Sequence, residues 1–254
     1  MWLTIQLVSD IFEGFDRARK QVFRKRLEEQ DLETLRKFFP YFKSLRPQHQ
    51  KEFKHRLELV LTEKRFYARG GLKEVTKEMK LLIGATIVQV VFGFKELRLR
   101  HFKNILIYPD TYLSTISNQQ HAGEVNPKHG AIVLSWKSFA KGLADEKDGV
   151  NLGIHEVAHA LKLENWIRSN NEINFLHPKL WSEYLELSEM EMEQIQEGND
   201  DFFRKRGGDD AHEFFAVALE NFFERPEEFQ NRKPLLFTVL VKLLRQNPIV
   251  LKQS

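Results

Sequence analysis

The stretch Asn151-Leu152-Gly153-Ile154-His155-Glu156-Val157-Ala158-His159-Ala160-Leu161 constrains the fold more than any other, because three ionisable side chains sit inside an otherwise apolar run. Its composition predicts a helix that is apolar almost all round and therefore buried. On such a helix His155 and His159, four residues apart, project from one face on successive turns, and Glu156 is turned roughly 100° from the first histidine. Burying these groups without partners costs about 1–3 kcal/mol each, more if charged. A divalent metal satisfies all three: the imidazoles grip it, and Glu156 stands beside the ligands without being one. The five-residue pattern also arises by chance on surface helices, but here its neighbours are Ile, Val, Ala and Leu.

The chain contains no Cys, so any transition-metal site must use His, Asp and Glu. Catalytic zinc takes three protein ligands and keeps one position open, where it lowers the pKa of water from about 15.7 to about 7 and polarises a carbonyl. The expectation is one zinc ion per chain, held by His155 and His159, with Glu156 as general base. For the third ligand, Asn165 stands where a histidine six residues after His159 would be needed. Glu172, Glu183, Glu213 and Glu220 all lie downstream. Glu183 falls in a Glu- and Ser-rich stretch that reads as solvated, whereas Glu213 opens an apolar helix where an unpaired carboxylate is expensive. An acid at that point is also favoured by the helix macrodipole, by only about 0.3–1 kcal/mol.

At 254 residues, 42% hydrophobic and with 21 Phe, the chain has material for a sizeable core. Its longest apolar run, Leu81 to Phe94, is too short for a bilayer and reads as a buried helix. The first residues lack a basic segment and a small-residue cleavage site, so a cytoplasmic protein is expected. Charge is uneven: residues 17–73 carry 17 basic against 7 acidic side chains, and residues 183–228 carry 15 acidic against 4 basic. Solvated helical faces account for this, as does a docking surface for a charged partner. Nucleic-acid binding is not expected, because no stacking motif or recognition helix accompanies the basic residues.

Along the chain, Phe12, Phe15, Ala18, Val22 and Phe23, then Leu32, Leu35, Phe38 and Phe39, predict helices up to about Lys64. Arg69-Gly70-Gly71 breaks the pattern, and a second helix starts at Thr76. Strands are expected at Ile105–Tyr108 and Ala131–Trp136, separated by a polar loop from Ser114 to Gly130. His121 and His129 fall in that loop and are left outside the site, since a mobile loop orients a ligand poorly. Asp148 or Asn151 caps the metal helix, a polar acidic helix follows from Trp166 to Glu197, and Asp209 or Asp210 caps the helix from Ala211 to Phe223. A basic helical region, 1–70, packed on a domain of residues 71–254 is the expected organisation.

The motifs Leu106-Ile107-Tyr108-Pro109, Gly130 to Trp136, Asn151 to Leu161, and Glu213 to Pro226 occur in the order found in the Mlc titration factor A family of zinc-dependent peptidases, which this chain resembles over roughly residues 65–250. The resemblance implies a predominantly helical α+β fold, a zincin-like core of the gluzincin type with a small mixed sheet, related in its active-site core to the anthrax lethal factor protease domain. It makes Glu213 the third ligand. It places Val133, Leu134, Ser135 and Trp136 in a strand above the cleft, where an extended peptide pairs its backbone. It implies a zinc aminopeptidase acting on peptide or protein substrates, or a regulatory module that binds a transcriptional repressor, as the founding member does. The family's tyrosine a few residues before the third ligand is missing between Asn199 and Asp210. Arg206 stands in that neighbourhood as the expected oxyanion stabiliser, although Arg204-Lys205-Arg206 also reads as a solvated triplet.

Overall fold

The computed structural model describes residues 25–113, 119–167 and 174–251. The expected helical positions from Phe12 to Phe23 and the candidate Glu172 lie outside them. Three helices open the described chain: α1 (Glu29–Phe38), α2 (Pro40–Ser44) and α3 (Pro47–Glu63). Strand β1 (Arg65–Ala68), helix α4 (Lys77–Val91) and strand β2 (Asn104–Tyr108) follow. The short strands β3 (Tyr112–Leu113), β4 (Gln120–His121) and β5 (Gly123–Asn126) lead into β6 (Ala131–Ser135). The rest is helical: α5 (Trp136–Ala144), α6 (Leu152–Glu164), α7 (Pro178–Glu197), α8 (Ala211–Glu224), α9 (Pro226–Arg232), α10 (Pro234–Leu244) and α11 (Pro248–Leu251). The fold is α+β and predominantly helical.

The sheet is mixed, with strand order β1-β2-β6-β5; the first three strands run parallel and β5 is antiparallel on β6. Alternation sorts its side chains. Ile105, Ile107, Ile132 and Leu134 are buried against the helices, whereas Leu106, Tyr108 and Val133 face the other way. Helices α4, α6 and α8 form the interior, and Phe214 to Leu219 on α8 are wholly buried. Leu35, Phe39, Phe42 and Phe53 from the first helices join the same core.

Two expectations about the sheet need correction. The segment from Ser114 to Gly130, read as a polar loop, contains the edge strand β5. The strand expected to take a peptide, β6, is paired on both sides, so Val133, Leu134 and Ser135 have no free ladder to offer. Trp136 is not in the strand at all: Ser135 accepts a hydrogen bond from Ser138 N at 3.2 Å and caps α5, which Trp136 begins. Among the described residues, the edge strand next to β6 is β5, with no further strand paired to it.

Candidate metal centre

The N-terminus of α6 is fixed before any ligand is placed. Asn151 Oδ1 accepts from Ile154 N at 3.0 Å, so Asn151 and not Asp148 is the cap. Its backbone N–H donates to Glu220 at 2.8 Å and its side-chain amide to Glu224 at 2.9 Å, both on α8. Gly153 is required where α6 crosses α5, since a Cβ there would stand 2.5 Å from the Phe139 ring. Asp210 caps α8 by accepting from His212 N at 2.6 Å and Glu213 N at 3.0 Å. Two capped, buried helices therefore lie side by side with their polar faces together.

Those faces converge. His155 Nε2 and His159 Nε2 are 3.1 Å apart, and each lies 3.4 Å from an oxygen of Glu213. Among the described residues this trio forms the group whose donor atoms could share one ion. Metal bonds of about 2.0–2.1 Å at tetrahedral angles place ligand atoms about 3.3–3.4 Å from one another, so the triangle is the right size for a zinc-like ion. Glu183 is exposed on α7 and lies outside the cluster. Glu220, another sequence candidate, sits behind the cluster with an oxygen 2.7 Å from His155 Nδ1. It is the acceptor that fixes the ring and leaves Nε2 for a metal.

The electrostatics follow from burial and pairing. Burial opposes charge on His155, but Glu213 and Glu220 outweigh it and raise its pKa to about 9. Burial opposes charge on Glu213 too, yet His155, His159 and Arg206 hold it well below the usual carboxylate range. His159 is shifted down by burial, and its Nδ1 is enclosed with no hydrogen-bond partner among the described residues. Burial raises Glu156 to about 7. Its carboxyl lies under the edge strand, where a Cβ at Gly123 would come within 2.5 Å of Oε1. Glycine at 123 is what lets β5 pass over the carboxyl.

The basic triplet is not simply solvated. Arg206 Nε pairs with Glu213 Oε2 at 2.5 Å, and Arg204 Nη2 reaches Glu220 Oε1 at 2.5 Å and His155 Nδ1 at 3.2 Å. Three contributors escaped the sequence reading: Arg204, Gly123 and His212, whose ring stacks on His159 at 4.0 Å between centroids. Only Glu220 had left a signal, as a carboxylate two turns from Glu213 in an apolar helix.

Two histidines and a glutamate from a second helix, with a buried carboxyl beside them under a small sheet, define a metallopeptidase-type site. Residues 15–245 match the family described as Glucose-regulated metallo-peptidase M90, and the chain belongs to that family. It is 28% identical over 208 residues to Mlc titration factor A of Yersinia pestis, covering 75% of each chain. Mlc titration factor A of Yersinia enterocolitica is 29% identical over 168 residues, 58% of this chain and 60% of that one. Uncharacterized protein slr2042 of Synechocystis is 25% identical over 253 residues, covering 92% of this chain and 90% of that protein.

Proposed function

We propose that the protein is a zinc-dependent peptidase of the cytoplasm, an aminopeptidase acting on short or flexible peptides, with His155, His159 and Glu213 as ligands and Glu156 as general base. The observation that carries this reading is the donor triangle with Glu156 next to it, buried and near neutral in pKa. Bound zinc supplies Lewis acidity and an acidic water. The chain does the rest. Glu156 takes a proton and returns it to the leaving amine, the task for which a pKa near 7 is suited. Glu220 and Arg204 hold His155 in one orientation. Arg206 holds Glu213 and brings a positive charge to the rim, where it would stabilise a developing oxyanion. A peptide pairs with the open edge of β5, whose partner among the described residues is β6 alone.

The test is Glu156→Gln in zinc-loaded protein, assayed on aminoacyl substrates and internally quenched peptides. The expected result is full metal content with a fall of about 10²–10⁴ in turnover. Equal turnover with metal bound would sink the mechanism.

The names of the Yersinia relatives support a second reading, a module that binds a transcriptional regulator. In that case the protein cleaves nothing in the panel, and Glu156→Gln leaves capture of the regulator unchanged.

A further inference from the structure

The two ligand histidines of α6 are held by different means. A histidine that binds a metal through one ring nitrogen ordinarily donates its other N–H to a carboxylate, a carbonyl or water, and that bond sets the orientation of the ring. His155 follows the rule: its Nδ1 lies 2.7 Å from Glu220 Oε1, with Arg204 Nη2 at 3.2 Å. His159 does not. Its Nε2 stands 3.1 Å from His155 Nε2 and 3.4 Å from Glu213 Oε1, so Nδ1 is the nitrogen left to be anchored. That nitrogen is enclosed and has no hydrogen-bond partner among the described residues.

Ring contacts take the place of the missing bond. The His155 ring stands perpendicular to that of His159, with 88° between planes and 4.6 Å between centroids. His212 lies flat against it, 4.0 Å between centroids and 22° from parallel. A turn of the His159 ring about its Cβ–Cγ bond would break this stack and lose the contact of two aromatic faces. His212 is itself fixed in the first turn of α8, half-buried, where Asp210 Oδ1 accepts from its backbone N–H at 2.6 Å and from that of Glu213 at 3.0 Å. One cap thus sets both the third ligand and the ring stacked on the second.

We propose that His212 is a positioning residue of the metal centre: its flat face holds His159 in the ligating orientation, the duty that Glu220 performs for His155 by hydrogen bonding. The inference rests on the ligand assignment in the reading above and needs no cleavage. His212 is not one of the donors, which are His155, His159 and Glu213. It acts through His159, and what it contributes is a planar surface. A different flat ring at 212 therefore serves the same end, and a side chain of similar bulk without a face does not. The polar atoms of the imidazole are dispensable to this role.

The test compares His212→Phe, which keeps a flat face, with His212→Leu, which keeps bulk without one, and His212→Gln, which keeps a polar N–H without a ring. Zinc affinity is read by competition against a chelator, and ligand geometry by the visible absorption of the cobalt-loaded full chain. The leucine and glutamine variants should lose about 10–100-fold in zinc affinity, the range for loss of an outer partner, and should change the cobalt spectrum. The phenylalanine variant should stay within about threefold of wild type and keep its spectrum. Melting of the metal-free proteins, which a merely structural role would lower in step with affinity, should not separate His212→Leu from His212→Phe. Unchanged affinity in all three variants, rescue by glutamine and not by phenylalanine, or losses that follow the metal-free melting temperature overturn the proposal. If His212→Leu does not fold, His212→Gln against His212→Phe carries the same comparison. A wild type that binds no zinc overturns the metal centre and this role with it. The expected pattern of affinities in a protein that cleaves no peptide upholds the role of His212 while the peptidase reading falls.

Discussion

Helices α4 and α6 are buried along nearly their whole length, yet they treat polar groups in opposite ways. On α4 the Thr86 hydroxyl donates to Leu82 O at 3.1 Å within the helix. The carbonyls at its C-terminal end accept from the buried Arg56 and from the Gln246 amide, with Arg56 Nη2 reaching Val91 O at 2.8 Å. The helix closes on itself and on its neighbours. On α6 the histidines face one another and Glu213 at ligand spacing, and His159 Nδ1 finds no partner among the described residues. Burial alone does not mark a site, since both helices have it. What separates them is whether the polar atoms are satisfied from within or converge on a point where a guest would satisfy them.

The sharpest way to break this contrast is to remove a histidine. His155→Ala or His159→Ala should abolish the near-stoichiometric metal of the wild type, read by elemental analysis of purified protein, because two remaining ligands do not hold zinc against water and chelators. Thermal stability should fall with it, as the bound metal stabilises the fold by mass action. Full occupancy in both variants would refute the ligand assignment.

A carboxylate series comes next. Glu213→Gln should weaken zinc affinity by more than the roughly 10–100-fold that follows loss of an outer partner, and Glu220→Gln should fall inside that range. Glu183→Gln, exposed on α7, should change nothing. If Glu183 proved the sensitive position in a competition titration against a chelator, the triangle seen here would not be the working site.

How much of this was legible follows from where each signal lives. The His155-Glu156-His159 spacing and the apolar run of α8 are local, and the sequence carried both. The choice among carboxylates depends on which turn of α8 faces α6, and that is a packing fact. The edge strand was missed because Gly123-Glu124-Val125-Asn126 has one apolar residue in four and so no hydrophobic alternation to detect. β1 was missed behind the helical pattern, and β6 was read one residue too long because Trp136 continues its apolar run into α5. The basic region was read as solvated or docking surface. Two of its cations have internal duties instead: Arg56 binds carbonyls at the end of α4, and Lys64 Nζ donates to Arg98 O at 2.7 Å and Leu99 O at 2.6 Å.

The contrast also has a pH signature, from a carboxyl behind the site. Burial raises Glu224 from the ordinary carboxylate range to about 8, although Asn151 donates to it. Between about pH 4.5 and 8 the folded chain keeps a proton that the unfolded chain releases, so stability drops as pH rises through that window. Glu224→Gln stays neutral and keeps an oxygen for Asn151. Metal-free wild type and variant should melt alike near pH 4.5, and the variant should melt several degrees higher by pH 8. Parallel Tm curves would mean that Glu224 is ionised throughout.

The smallest expected effect tests the structural side of the comparison. Thr86 is buried against Gly153 of the metal helix, close enough that a Cβ on the glycine would stand 3.2 Å from its methyl carbon. A polar residue so near the ligands invites a functional reading. Its hydroxyl, however, donates to Leu82 O, a carbonyl that the helix already supplies with a backbone donor. Thr86→Val keeps the branched shape and removes a donor without stranding an acceptor, so the cost should stay under about 1 kcal/mol, the net worth of one such bond. Zinc affinity should not move at all. A measurable loss of metal in Thr86→Val would show that α4 positions α6 through this contact, and the division between a closed helix and an open one would have to be redrawn.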